Sequence, residues 1–123
     1  MTATEHAEQV SLVQWLDATH PELLYFAIPN GGNRNIVTAS KLKAEGVKAG
    51  VPDMFFPSLH MFIELKRTKG GKVSPAQRNM AQRLEACGYS VVVCKGAKDA
   101  VDVITQEINK LAQQPLPELS IVE

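Results

Sequence analysis

The chain has 123 residues, 45% of them hydrophobic, and its thirteen Lys/Arg are balanced by thirteen Asp/Glu. That suffices for one core and leaves no room for a second, so residues 1–113 are expected to form a single domain followed by an irregular tail over 114–123. The longest apolar runs are too short to span a bilayer and the N-terminus lacks a basic-then-apolar leader, which excludes a membrane role and points to a cytoplasmic location.

In chain order, residues 4–17 place Val10, Leu12, Val13 and Leu16, with Trp15 beside them, on one helical face. His20-Pro21 ends this helix, and residues 23–28 read as a buried strand or extended segment stopped by Pro29-Asn30-Gly31-Gly32. Thr38 can cap a short basic helix over 39–45, closed by Gly46. Two apolar runs, Met54-Phe55-Phe56 and Met61-Phe62-Ile63, read as strands joined by a hairpin-type connection over 57–60. Ser74 as N-cap, Pro75 at the first helical position and Gln77 at the third make a strong helix start, and Gly88 marks its end. Residues 89–94 read as a fully buried valine-rich strand. Strand, helix, strand is a βαβ unit, so this strand should lie parallel to the one carrying Glu64. A last helix over 98–112 offers Val101, Ile104, Ile108 and Leu111 to the sheet. The expected order is α-β-α-β-β-α-β-α, an α/β domain with helices on a mixed sheet. Cys87 and Cys94 have no C-x-x-C spacing and no histidine nearby, and read as buried free thiols.

The hairpin sets Asp53, at the start of its first strand, beside Glu64, at the end of its second. Because side chains alternate along a strand, Glu64 and Lys66 share one face while Ile63 and Leu65 enter the core. Two carboxylates converging on one point repel unless a cation sits between them, and hard oxygen donors suit Mg²⁺ or Mn²⁺. A lysine two residues from such a ligand can orient water or neutralise a pentavalent phosphate, which points to phosphodiester hydrolysis. The plainer alternative makes Glu64 and Lys66 an exposed charge pair and Asp53 a turn residue after Pro52.

The zero net charge conceals an asymmetry: residues 33–83 hold ten Lys/Arg against three acids, a balance of +7, and the rest of the chain carries −7. That is the footprint of a surface that neutralises phosphates. Arg67, Lys69 and Lys72 flank the Gly70-Gly71 loop directly after the Glu64 strand, where a basic loop can follow a DNA backbone, and Lys48 belongs to the same basic middle. His6, His20 and His60 have no metal-ligand spacing, and neither a P-loop nor a dinucleotide fingerprint is present.

Pro52-Asp53 followed by Glu64-Leu65-Lys66 resembles the PD-(D/E)xK nuclease superfamily. Within it, the early Glu5 and Glu8, Pro29-Asn30-Gly31, Gly50-Val51-Pro52-Asp53, Glu64-Leu65-Lys66 and Ser74-Pro75-Ala76-Gln77 occur in the order of the VRR-NUC family. The resemblance covers roughly residues 4–105 and implies a restriction-endonuclease-like mixed sheet flanked by helices. It implies a metal-dependent DNA endonuclease in which Asp53, Glu64 and a first-helix glutamate hold the metal, Lys66 activates water, and Gln77 assists. On its spacing to Gln9, Glu5 is the choice for that glutamate, with Glu8 one turn on as its rival; Glu5 can also be read as a capping-box partner of Thr2. Asn30 and Arg34 match a loop near the family's site and become candidate DNA contacts. Stand-alone members resembling this chain act as homodimers on branched DNA such as four-way (Holliday) junctions, and the GVPD and ELK context fits a phage or prophage gene. The alternatives are a catalytically silent nucleic-acid-binding module of the same fold and an interaction subunit whose acidic ends bind a basic partner.

Overall fold

A computed structural model describes residues 3–29 and 36–114. The element order is α1 (Glu5–Thr19), β1 (Phe26–Ala27), α2 (Ile36–Ala44), β2 (Met54–Phe56), a 3₁₀ turn (Pro57–Leu59), β3 (Met61–Lys66), α3 (Pro75–Ala86), β4 (Ser90–Lys95) and α4 (Ala97–Gln113), matching the expected order. The irregular tail expected after residue 113 lies, from 115 onward, outside the described residues. No helix among the described residues is long and apolar enough to cross a membrane.

α1 starts where Thr4 Oγ1 accepts the Ala7 N–H, 3.0 Å away. Thr4, not Thr2, is therefore the N-cap, and Glu5 is the first helical residue and not a capping-box partner. Leu12 and Leu16 are fully buried and Val13 and Trp15 pack partly against the core, but Val10 stays largely exposed, rotated out of the buried stripe. α2 begins earlier than expected and takes in Thr38, so Thr38 is not its N-cap. Its C-terminal end is a Schellman motif: Val47 N–H bonds to Leu42 and Gly46 N–H to Lys43, with Gly46 at φ 96°.

The sheet order is β1-β2-β3-β4. β2 and β3 pair antiparallel in the register Met54↔Ile63, Phe55↔Phe62, Phe56↔Met61, and β3 and β4 pair parallel with Glu64 opposite Val93. The core lies on one face: Leu12 and Leu16 from α1, Met54 and Phe56 from β2, Met61, Ile63 and Leu65 from β3, Cys94 from β4, Ala100 and Ile104 from α4. Alternation sends Phe55, Phe62, Glu64 and Lys66 to the other face.

Several expectations change at the edges. Of the buried strand or extended segment expected over 23–28, only Phe26–Ala27 is strand, a two-residue edge strand with exposed side chains that pairs with Phe55 and Met54, and Leu24 faces solvent. β4 is likewise outermost among the described strands, so only Cys94 in it is buried and Val93 is exposed. Leu111 is exposed because α4, 17 residues and so about 25 Å long, outruns six-residue strands of about 20 Å. Cys87, at the C-cap of α3, is exposed and not buried. Cys94 is buried as expected, and its thiol is pushed up to about 12 by burial and then by the charge of Asp99.

Candidate active site

The site begins with a glycine. Gly50 has φ 83°, and a Cβ there would stand 2.3 Å from the Ala76 carbonyl oxygen and 2.8 Å from the Gln77 nitrogen. Only glycine lets the Gly50-Val51-Pro52-Asp53 turn press against the first turn of α3. That packing brings α3 to the sheet face bearing Glu64 and Lys66. The α3 N-terminus is the expected capping box: Ser74 Oγ accepts from Gln77 N at 3.1 Å, and Gln77 Oε1 accepts from Ser74 N at 2.9 Å.

The Gln77 side chain does more than cap. Its Oε1 also accepts from Lys66 Nζ at 3.0 Å, and its Nε2 donates to Glu64 Oε1 at 2.8 Å. Lys66 Nζ lies 3.4 Å from Glu64 Oε1 and 3.9 Å from Glu5 Oε1. Glu64 and Lys66 are only 5% and 8% exposed, which rejects the exposed-pair reading and makes them a buried, cross-linked pair. Asp53, next in register beyond the Met54↔Ile63 pair, turns its Oδ2 onto the Leu65 N–H at 2.7 Å. Its carboxylate takes the acceptor position that a longer β2 would have filled with a carbonyl.

Glu64 Oε2 is buried without a hydrogen-bond donor. Burial first, and then the charge of Asp53, push the Glu64 carboxyl up to about 7 against the opposing pull of Lys66. Asp53 is also held above the usual carboxylate range, by burial more than by Glu5, with the Leu65 N–H offsetting part of the effect. An acid pair with a donorless oxygen, both members resisting ionisation, is short of positive charge. An oxygen-only pair of this kind fits a hard divalent cation.

The expected three-carboxylate ligand set is not drawn together: among the described residues no three His, Cys, Asp or Glu side chains gather as a metal cluster. Glu5, about half exposed at the start of α1, meets the site through Lys66, while Asp53 and Glu64 form the pair. Glu8 faces elsewhere, its Oε2 accepting from the Ala97 N–H at the start of α4. Beside the pair, Thr4, Glu5, Lys66, Arg67, Gly70, Gly71 and Lys72 line an open cleft of about 450 Å³. Lys69, on the same loop, and Lys48, two residues before Gly50, are exposed but are not part of that lining. Asn30 and Arg34 lie outside the described residues. Sequence reasoning missed the Asp53–Leu65 bond and the Glu8–Ala97 bond. The second joins residues 89 apart and leaves no local signal.

A hairpin and a parallel crossover that present two acids and a lysine beneath a helix-start glutamine, on a mixed sheet flanked by helices, define a nuclease-type domain of restriction-endonuclease-like architecture. The chain belongs to the VRR-NUC domain family, whose profile matches residues 2–98. It is similar to a solved structure described as a VRR_NUC domain protein, with 28% sequence identity over 89% of this chain and 91% of that one, and a TM-score of 0.76. No curated protein matches it.

Proposed function

We propose that this protein is a metal-dependent DNA endonuclease, with Asp53 and Glu64 holding Mg²⁺ or Mn²⁺ and Glu5 completing the acidic surroundings from α1. The observation that carries the reading is the buried Asp53, Glu64, Lys66 and Gln77 constellation with its donorless Glu64 Oε2. When bound, the cation supplies Lewis-acid polarisation of a phosphate oxygen and lowers the pKa of water. Gln77 and Glu64 fix Lys66 Nζ, which hydrogen-bonds attacking water or a phosphate oxygen. The Leu65 N–H fixes Asp53, and Gln77 Nε2 fixes Glu64, so neither carboxylate needs to reorient.

Arg67 and Lys72, in the cleft beside Lys66, support a path for the sugar-phosphate backbone, with Lys69, Lys48, Asn30 and Arg34 as outer contacts. Phosphate-directed contacts of this kind favour shape over sequence. The family resemblance supports branched DNA, four-way junctions included, as the substrate and a homodimer as the active form, since each strand cut needs its own site.

The test is cleavage of labelled four-way junction, flap and linear duplex DNA with Mg²⁺, Mn²⁺ or EDTA, alongside Glu64→Ala and Lys66→Ala. The expected result is metal-dependent cutting, strongest on the junction, with a loss of about a hundredfold or more in both variants. DNA binding without cuts in any metal would replace the nuclease with a binding module of the same fold.

A further inference from the structure

Glu8 stands one helical turn beyond Glu5, yet its carboxylate meets α4 and not the acid pair. Helix starts leave N–H groups unpaired and carry partial positive charge, and a Ser, Thr, Asp or Asn at the N-cap is the usual remedy. α4 has none, because its N-cap is Gly96. The position has no room for a side chain: Gly96 is buried at φ 90°, and a Cβ there would lie 2.7 Å from Thr68 Cγ2 and 3.2 Å from Glu8 Oε2. The missing cap comes instead from α1, where Glu8 Oε2 accepts the Ala97 N–H. Gly96 in turn donates its own N–H to the Lys66 carbonyl at 2.8 Å.

We infer that Glu8 is a positioning residue: by capping α4 from α1, beside the glycine that holds the Lys66 carbonyl, it fixes the first turn of α1 against the end of β3 and so sets where Glu5 and Lys66 meet. The consequence for catalysis rests on the nuclease reading of Lys66; the mechanical part does not. Without Glu8, α1 loses its bond to the β4–α4 junction, and Glu5, one turn away, loses its fixed distance to Lys66 Nζ, 3.9 Å in the intact protein. The function of Glu8 needs an acceptor oxygen and not a negative charge, which separates it from a metal ligand or general base.

Glu8→Ala and Glu8→Gln test this in the full chain. In Glu8→Ala, kcat should fall about tenfold to a hundredfold at nearly unchanged KM, the cost of a site loosened by a fraction of an ångström. Glu8→Gln, which keeps a carbonyl oxygen for Ala97, should stay within about threefold of wild type. Independently of activity, amide exchange at Gly96 and Ala97 should speed up at least tenfold in Glu8→Ala, and the Lys66 and Glu5 amide resonances should move in that variant but not in Glu8→Gln. Unchanged resonances and exchange in Glu8→Ala would overturn the proposal, as would a Glu8→Gln enzyme as damaged as Glu8→Ala. If Glu8→Ala does not fold, Glu8→Asp, one methylene too short, is read by the same exchange and resonance criteria. A wild-type protein that cuts no DNA would remove the nuclease reading, and the resonance data would still decide whether Glu8 positions Lys66.

Discussion

Gln77 is the residue through which helix capping and the candidate chemistry are joined, so truncating it tests both. Gln77→Ala removes three hydrogen bonds: donation to Glu64 Oε1 at 2.8 Å, acceptance from Lys66 Nζ at 3.0 Å and acceptance from Ser74 N at 2.9 Å. The first two involve charged, buried partners and are worth about 1.5 kcal/mol each at the low end of the range for such bonds. The third reaches an exposed N–H that water can satisfy, and adds little. The sum is about 3 kcal/mol, and with an unfolding entropy near 2.1 cal/mol/K per residue it corresponds to a Tm lowered by about 12 °C in a chain of 123 residues. Ser74→Ala is the control: it deletes the 3.1 Å cap bond from Gln77 N but leaves the Gln77 side chain bonded to Glu64 and Lys66. It should cost about 1 kcal/mol, or roughly 4 °C. Thermal denaturation of both variants in EDTA at about pH 8, where Glu64 is largely ionised, measures the difference, and cleavage should fall much further in Gln77→Ala than in Ser74→Ala. If the two variants lose equal stability, the Gln77 side chain contributes only as a cap and the argument for a site-spanning bridge fails.

Burial and Asp53 raise the Glu64 carboxyl to about 7, so the folded protein binds this proton more tightly than the unfolded chain does. The stability that the proton brings is complete below the usual carboxylate range and is lost as pH rises through about 7; metal-free Tm should therefore drop by several degrees between pH 5 and pH 8. In Glu64→Gln that slope should flatten, and an equally steep slope in the variant would refute the assignment. Gly50→Ala forces a Cβ to 2.3 Å from the Ala76 carbonyl at φ 83°, and should destabilise the protein by about 3 kcal/mol or more in urea denaturation; a loss under about 1 kcal/mol would mean that α3 is not pinned there. Arg67→Ala and Lys72→Ala should each weaken DNA binding and reduce the slope of log K against log salt by about 1, whereas Lys43→Ala on α2 should leave the slope unchanged. Equal slopes in all three would place the backbone path away from the cleft.

What could be read from the sequence was whatever local geometry decides. A connection of four residues forces a hairpin, and the hairpin alone brings Asp53 opposite Glu64. Ser74-Pro75-Ala76-Gln77 announces its own capping box, which formed as expected. Alternation identified the face that Glu64 and Lys66 share but could not say what covers that face; the cover depends on α3 packing over Gly50, a contact between segments 26 residues apart. The same limit explains the strands. Valine content made β4 look interior, yet a strand is buried on both sides only if something lies beyond it, and β4 is the last in the described sheet. Spacing to Gln9 favoured Glu5 over Glu8 but could not say where Glu8 goes, because the carboxylate of Glu8 is claimed by an N–H from the far end of the chain.

β3 shows how the site and the core share one segment. All six of its residues are buried, and along it the odd-numbered residues Met61, Ile63 and Leu65 anchor the strand in the core while the even-numbered Glu64 and Lys66 face the site. Each anchor contributes about 1.5–3 kcal/mol of apolar burial. The buried Glu64 charge works the other way: burial outweighs the pull of Lys66 3.4 Å away and raises the Glu64 carboxyl, and one of its oxygens has no donor. Substitutions along a single strand should therefore split by parity. Ile63→Ala or Leu65→Ala should cost about 2–5 kcal/mol, whereas Glu64→Gln should raise the metal-free Tm at pH 8 while abolishing cleavage. A strand that held its acid only as a structural salt bridge would show the opposite at Glu64, because neutralising one partner of a stabilising pair lowers Tm.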